Sequence, residues 1–172
     1  MKKVLLTISA SLIWICISCN NNSIVSAKDN SQAQKNLDAW HVVSMAFATG
    51  NQDMIDSVIA DDYVDHKSKG DVRGRDSVKA NIGRTHANLK NLKMEVIKEL
   101  AENEYAFFWM HFTGNGTAAS GMFAGPFDMN TVQVVKFMNG KTVEHWDYIE
   151  GKQLMKMMQH IRTNTDSSAM KK

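Results

Sequence analysis

The hydrophobic pattern of the chain changes at Asn91, and this change limits the folds that it can adopt. Before Asn91, apolar residues recur at spacings of three and four, as from Leu37 to Phe47, which is typical of helices that pack on one face. After Asn91, apolar and polar residues alternate, and Asn139-Gly140 is a strong hairpin signal because both residues tolerate a positive φ. Helices followed by an antiparallel sheet indicate an α+β fold.

The same patterns predict the positions of the individual elements. We expect helices in the first half of the chain at residues 37–47, 53–60 and 75–89, with a short extended segment at residues 63–66. In the second half we expect a strand that begins at Leu92, strands at residues 105–113, 131–138 and 141–150, and a closing helix at residues 153–161.

The composition excludes several classes of protein. The formal net charge of +2 is too small for a protein that binds nucleic acid through a strongly basic face. A hydrophobic fraction of 44% in 172 residues is enough for a stable core, unlike the composition of a disordered or collagen-like chain. No internal repeat and no proline-rich linker divides the chain, so we expect one domain at residues 35–162.

The first eighteen residues have the features of a secretory signal. Lys2 and Lys3 precede an apolar run at residues 4–17 that is too short to span a bilayer. Ser18-Cys19, followed by three asparagines, resembles the lipobox of bacterial lipoproteins. This resemblance implies that Cys19 is lipidated and anchors the protein to a membrane of the bacterial cell envelope, on the periplasmic side or at the surface. The alternative is an ordinary signal peptide that is cut nearby, for example after Ala27.

Removal of residues 1–18 would leave Cys19 as the only cysteine of the mature chain. With its thiol lipidated, no disulfide and no cysteine nucleophile would remain, and a metal site would depend on histidines and carboxylates alone. Residues 19–34 and 163–172 are rich in polar side chains. We therefore expect a flexible tether and a disordered tail at these two positions.

Six segments of the chain carry a resemblance to one protein family. They lie at residues 60–66, 74–78, 114, 140–147, 151–155 and 158–159. In this order and spacing they resemble the SnoaL-like polyketide cyclases of the nuclear transport factor two-like superfamily, from about Leu37 to His160. The resemblance implies a cone-shaped, curved antiparallel sheet, about three helices packed on it, a short C-terminal helix and an apolar cavity inside.

The resemblance also implies a catalytic residue. In cyclases of this family an aspartate on the last strand is the general acid/base of an intramolecular aldol closure, and Asp147 aligns with it. One carboxyl group in an apolar pocket can serve both proton transfers, because such a pocket disfavours the charged form. This chemistry needs no metal and no organic cofactor.

Three further residues are candidates to assist Asp147. His145 lies two positions before Asp147 on the predicted strand, so the two side chains share a face and both face the cavity if one does. In the ketosteroid isomerase branch of the superfamily a functional residue follows the second helix, and either Asp65 or His66 could take that place. The alternatives are a surface ion pair for His145 and Asp147, and a loop histidine bonded to a backbone carbonyl for His66.

Candidate substrate-binding residues lie on two other strands. Residues 105–112 are apolar on both faces, so we expect one face to line the cavity or core and the other to be covered by helices or a partner subunit. Tyr105 and Trp109 could then contact an apolar ligand. Gln133 stands where the polyketide cyclases have a histidine, so aromatic polyketides are not the expected substrates.

These observations are compatible with three functions. The first is a cofactor-free cyclase or isomerase that acts on a small hydrophobic carbonyl or ester compound. The second is a non-catalytic module that binds a small ligand in the same cavity. The third is an interaction domain of the cell envelope that forms a homodimer through its sheet. The first is favoured, because a buried acidic residue is costly without a use.

Overall fold

A curved six-stranded sheet forms the frame of the structure, a computed structural model in which residues 27–159 are described. The strands are β1 (Ile59–His66), β2 (Val72–Arg73), β3 (Leu89–Glu102), β4 (Tyr105–Gly116), β5 (Gly125–Met138) and β6 (Lys141–Ile149). Their order across the sheet is β2-β1-β6-β5-β4-β3. All neighbouring pairs are antiparallel except β1 and β6, which run parallel.

Helices cover one face of this sheet. The helical elements are α1 (Ala27–Thr49), a 3₁₀ helix (Gln52–Asp56), α2 (Arg75–Asn88), a second 3₁₀ helix (Ala118–Phe123) and a C-terminal helix at residues 151–159. We call the face that α1 and α2 cover the inner face and the opposite one the outer face. No helix in the described part of the chain is long and apolar enough to cross a membrane.

The core lies between the inner face and the helices. Alternation along β4 sends Phe108 and Met110 into this core, while Phe107 and Trp109 point to the outer face. From the helices, the buried side chains that meet them belong to a single cluster and include Trp40, Val43, Ile55 and Ile82. One face of the sheet is therefore packed and the other is open.

The sequence predicts the α+β class and most of the elements correctly. Helix α2 and strands β4 and β6 begin at the predicted positions, whereas α1, β3 and β5 start earlier than predicted, at Ala27, Leu89 and Gly125. The Asn139-Gly140 turn has the positive φ values of 52° and 76° that the hairpin signal predicts. The parallel β1–β6 pair makes the sheet mixed rather than purely antiparallel, because β1 enters the sheet beside the last strand.

Two predicted segments are wrong. The second helix does not extend to residue 60, because Ile59 already belongs to β1 and pairs with Thr142 of β6. The tether does not extend to residue 34, because α1 begins at Ala27. The amide of Asn36 on this helix donates a 3.1 Å hydrogen bond to the carbonyl of Asn103 in the β3–β4 turn, a tertiary contact that composition does not reveal.

Three other predictions concern residues outside the described part of the chain. They are the signal at residues 1–18, the lipidation of Cys19 and the tail at residues 163–172.

Candidate functional site

The inner face of the sheet and the two long helices line a cavity of about 340 Å³ that is partly open to solvent. Its wall is mainly apolar, and the apolar side chains come from helices and strands distant in sequence, among them Val43, Phe47, Leu92, Phe112, Phe127 and Ile149. A cavity of this size and character suits a small hydrophobic molecule.

Four polar side chains meet in this wall where β1 and β6 run side by side. The parallel register pairs Asp65 of β1 with His145 of β6. Because side chains two positions apart share a face, Lys67 follows Asp65, and Asp147 follows His145, on the same inner face. The sheet itself thus assembles the cluster from two short segments.

The contacts within the cluster are short. Nδ1 of His145 lies 2.9 Å from Oδ1 of Asp65, and Nζ of Lys67 lies 2.9 Å from Oδ2 of the same carboxylate. Nζ of Lys67 is also 3.3 Å from Oδ2 of Asp147. The second oxygen of Asp147 stands 3.6 Å from Nε2 of His145, which is beyond hydrogen-bonding distance.

The charge of Asp65 determines which nitrogen of His145 carries a proton. Burial alone would raise the pKa of Asp65, but the hydrogen bond with His145 and the ammonium group of Lys67 outweigh burial and lower that pKa below its usual range. An ionised carboxylate only accepts hydrogen bonds, so Nδ1 of His145 donates to it. In the neutral ring Nε2 then carries a lone pair.

That lone pair has no partner. Nε2 of His145 is buried and makes no hydrogen bond with any described residue, although the ring lines the cavity. A buried polar atom without a partner is rare in folded proteins and requires an explanation. An imidazole in a cavity wall, with one nitrogen fixed by a carboxylate and the other without a hydrogen-bond partner, is the arrangement of a general base.

Lys67 and Tyr63 have other roles in this wall. Burial would lower the pKa of Lys67, but the carboxylates of Asp147 and Asp65 outweigh burial and raise that pKa, so the side chain remains an ammonium group and a hydrogen-bond donor. Burial raises the pKa of Tyr63 well above its usual value, and the charges of Asp65 and Asp147 add to the effect. Tyr63 is therefore a neutral phenol in the cavity wall.

Trp40 of α1 holds the imidazole from the helix side. Its ring lies against that of His145, with centroids 4.9 Å apart and planes inclined by 31°. Its Nε1 donates a 3.0 Å hydrogen bond to Oε1 of Gln133, which is buried in the cavity wall. Gln133, a predicted substrate-binding residue, thus lines the cavity, and its side-chain oxygen already accepts a hydrogen bond from Trp40.

Asp147 differs from the expected buried acid. It lines the cavity and shares its face with His145, as the alternation predicts. Its side chain is nevertheless 32% exposed and forms an ion pair with Lys67, whereas the side chain of Asp65 is only 13% exposed. The less exposed carboxylate of the site is Asp65, the residue that the sequence left as an alternative to His66.

The predicted role of His66 in the cavity is corrected, because His66 points to the outer face. Its Nε2 lies 2.9 Å from Glu144, its Nδ1 lies 3.0 Å from Asp71, and its ring stacks on Trp146. The carboxylates of Glu144 and Asp71 raise the pKa of His66, and they outweigh the opposing effect of burial.

Tyr105 and Trp109 are corrected in the same way. Both belong to the outward-facing set of β4, and neither lines the cavity. The inner set of that strand instead supplies core residues such as Phe108 and Met110, together with Phe112 of the cavity wall.

Lys67, Tyr63 and Trp40 also belong to the site but were not predicted from the sequence. The first two could have been found by alternation, since they lie two positions on either side of Asp65. Trp40 could not, because its contacts with Gln133 and His145 join parts of the chain that are about a hundred residues apart. Among the described residues no three His, Cys, Asp or Glu side chains are arranged to hold a metal ion.

The curved sheet, its covering helices and the inner cavity define a small α+β domain with the nuclear transport factor two-like fold. Residues 41–145 match the SnoaL-like domain family, and the chain belongs to this family. The match spans the segment from α1 to His145 and so includes Asp65, Lys67 and His145. No curated protein sequence matches the chain.

Several solved structures share the fold. A candidate SnoaL-like polyketide cyclase from Shewanella denitrificans OS-217 is similar with a TM-score of 0.62 at 12% identity, over 73% of this chain and 97% of that chain. An LEH-like epoxide hydrolase from M. tuberculosis is similar with a TM-score of 0.62 at 12% identity, over 80% and 98%. TsrD from Streptomyces laurentii is similar with a TM-score of 0.60 at 18% identity, over 75% of this chain and 96% of that chain. At these identities the similarity establishes the fold alone.

Proposed function

We propose that the protein is a cofactor-free enzyme of the isomerase or cyclase type that removes a proton next to the carbonyl group of a small hydrophobic ketone or ester. The observation that carries the proposal is the buried, unpartnered Nε2 of His145 in an apolar cavity, with Nδ1 fixed by Asp65. His145 replaces Asp147 as the proposed base, because Asp147 is more exposed and is held by Lys67.

The residues of the cluster can carry out the whole proposed proton transfer. Nε2 of His145 takes the proton from the carbon next to the carbonyl group, and the electron pair of the broken C–H bond forms the enolate. The negative charge moves to the carbonyl oxygen, where a hydrogen-bond donor stabilises it. Lys67 can provide that donor, because an ammonium group has three N–H bonds and its two carboxylate partners use two of them. The protonated His145 then returns the proton to the same or another atom.

We also propose that the protein is exported and works in the cell envelope. The signal-like residues 1–18 and the lipobox-like Ser18-Cys19 support an enzyme that works on the outside of the cytoplasmic membrane, anchored through Cys19. Substrates would then be small hydrophobic compounds that reach the cell envelope.

Deuterium exchange tests the proposal without knowledge of the natural substrate. The full chain is incubated in D₂O with a panel of small apolar ketones and esters, and proton NMR follows the loss of the signal next to the carbonyl group. We expect exchange well above the buffer blank for at least one member of the panel. Saturation-transfer signals from the same samples report binding. Binding without any exchange would reject the enzyme and support the non-catalytic ligand-binding module.

A second candidate function, self-association, is favoured by the outer face of the sheet. Leu100, Phe107, Trp109, Val132 and Tyr148 are exposed there and are cross-strand or diagonal neighbours on β3 to β6. We call these five residues the outer patch. Contiguous exposed apolar residues on a sheet of this size are typical of interaction surfaces.

The charges around the outer patch favour a second copy of the same chain as the partner. At one end of the patch Lys136 and Glu144 face outward. On the edge strand β3, Lys98 pairs with Trp109 beside the patch, and Glu95 pairs with His111 beyond it. A rim that carries both signs can pair with itself, whereas a partner of one dominant charge would meet repulsion. The proposed homodimer leaves the cavity on the inner face free for a ligand.

We expect Trp109→Glu to convert the dimer into a monomer, because it places a charge at the centre of the outer patch. Sedimentation velocity of the full chain over a range of concentrations measures the effect. Met45→Glu is the matched control, since Met45 is also exposed but lies on α1. A monomeric wild-type protein, or equal effects of both substitutions, would contradict the proposed dimer.

A further inference from the structure

One side of the cavity wall is polar and belongs to α2. Ser77, Asn81, Arg84 and Thr85 line the cavity together with the buried Val78. Their spacing of three and four places them along one stripe of the helix. The side chains of Asn81, Arg84 and Thr85 make no hydrogen bond or ion pair with any described residue. This stripe is a second polar region of the cavity, separate from the cluster around His145.

Arg84 differs from the other arginines in the described part of the chain. Arg73 pairs with Asp71, and Arg75 pairs with Asp56 and Asp61. Arg84 is exposed to solvent where it lines the cavity. Its guanidinium group has no carboxylate within ion-pair distance in the described part of the chain. Five N–H donors in a planar fork at a cavity wall are matched best by a planar anion such as a carboxylate.

The two polar regions lie at different ends of the cavity. The start of α2 adjoins β1, since the backbone N–H of Gly74 donates to the carbonyl of Tyr63. Arg84 is ten residues further along the chain, which is about 15 Å along a helix axis. At the far end of α2 the side chain of Asn88 accepts a hydrogen bond from Thr117 near the second 3₁₀ helix. Arg84 therefore lies towards that end, away from Asp65.

The charges of the two regions have opposite signs. Asp65, Asp147 and the ammonium group of Lys67 sum to −1, whereas the stripe on α2 carries the +1 charge of Arg84. An apolar ligand with one anionic end would be repelled from the aspartates and attracted to the guanidinium group. The cavity is thus polarised along its length.

We propose that Arg84 binds a carboxylate of the substrate, so that the substrate class is an apolar keto or ester acid. Its carboxylate lies on Arg84 and its reactive carbonyl end points towards His145. The orientation towards His145 rests on the proposed function, whereas recognition of the carboxylate does not. Arg84 is in this view a residue that sets specificity.

Paired probes separate the charge from the apolar chain. Octanoate and its methyl ester have the same hydrocarbon tail, and isothermal titration calorimetry measures the affinity of each for the full-length protein. For wild type we expect a preference for octanoate over the ester. In Arg84→Gln the ratio of the two affinities should fall by about tenfold, as is typical of a lost charge-assisted contact. Arg84→Lys should retain part of the preference.

Arg73→Gln is the matched control, because Arg73 is exposed like Arg84 but lies outside the cavity. It should leave the ratio unchanged. Equal affinities for the acid and the ester in wild type, or an unchanged ratio in Arg84→Gln, would overturn the proposed recognition of a carboxylate.

A keto acid separates this inference from the proposed function. With 7-oxooctanoate as the probe for deuterium exchange, Arg84→Gln should raise KM more than it changes kcat, because the contact acts on binding rather than on the proton transfer. A carboxylate preference without any exchange would support Arg84 and reject the role of His145. Exchange without a carboxylate preference would support the role of His145 and reject that of Arg84.

Discussion

Replacement of His145 by glutamine is expected to reduce α-deuterium exchange by about 10²- to 10⁴-fold, the usual contribution of a positioned general base. Glutamine has a similar length, and its amide N–H can still donate to Asp65. An amide has no basic lone pair, so the proton acceptor alone is lost. Proton NMR in D₂O with the most reactive carbonyl compound measures the rate, and circular dichroism checks the fold.

His111→Gln is the matched control for this prediction. His111 also lies beside carboxylates, with Nε2 3.0 Å from Asp128 and Nδ1 3.7 Å from Glu95, but it lies outside the cavity. Its replacement should leave the exchange rate within about twofold of wild type, since surface substitutions have small effects. If the two variants lose the same fraction of activity, His145 is not the base.

Chemical rescue gives a second readout of the same role. In His145→Ala the missing ring leaves room beside Trp40 and Asp65, and free imidazole in the buffer can occupy it. We expect the exchange rate of this variant to rise with the concentration of imidazole towards saturation. A purely structural His145 would show no such recovery, because imidazole in solution cannot restore a damaged fold.

Asp65 acts through His145 and is therefore a positioning residue. In Asp65→Asn the amide can donate to Nδ1, which moves the proton to Nε2 and removes the lone pair that the proposed base requires. The double variant Asp65→Asn/His145→Gln should be no slower than His145→Gln alone, because residues that work as one unit show non-additive losses.

The faces of single strands were predictable from the sequence, whereas the contacts between distant strands were not. Period two correctly places His145 and Asp147 on one face of β6. The partner of His145 comes from β1, 80 residues earlier, and only the parallel pairing of β1 and β6 brings Asp65 to it. Local patterns carry no information on which strand becomes the neighbour of another.

The same limit explains why Asp65, and not the expected Asp147, is the less exposed carboxylate of the site. The resemblance to the cyclases identified Asp147 from its position on a single strand. Burial depends on what α1 places over the sheet, and Trp40 covers His145 next to Asp65 rather than the end of β6. For His66 and Trp109 a correct strand assignment was not enough, because the face that turns inward is set by the register with neighbouring strands.

Two adjacent phenylalanines of β4 test which face of the sheet packs against the helices. Phe108 is fully buried and its ring lies 6.1 Å from that of Trp40, whereas Phe107 is 38% exposed in the outer patch. We expect Phe108→Ala to lower the free energy of unfolding by about 3–5 kcal/mol, because it leaves a cavity in the core. Phe107→Ala should cost about 1 kcal/mol or less in the monomer. Urea unfolding of both variants at one low protein concentration measures the difference. Equal losses would mean that the core does not lie on the face where the structure places the cavity, and the assignment of His145 to that cavity would fall with it.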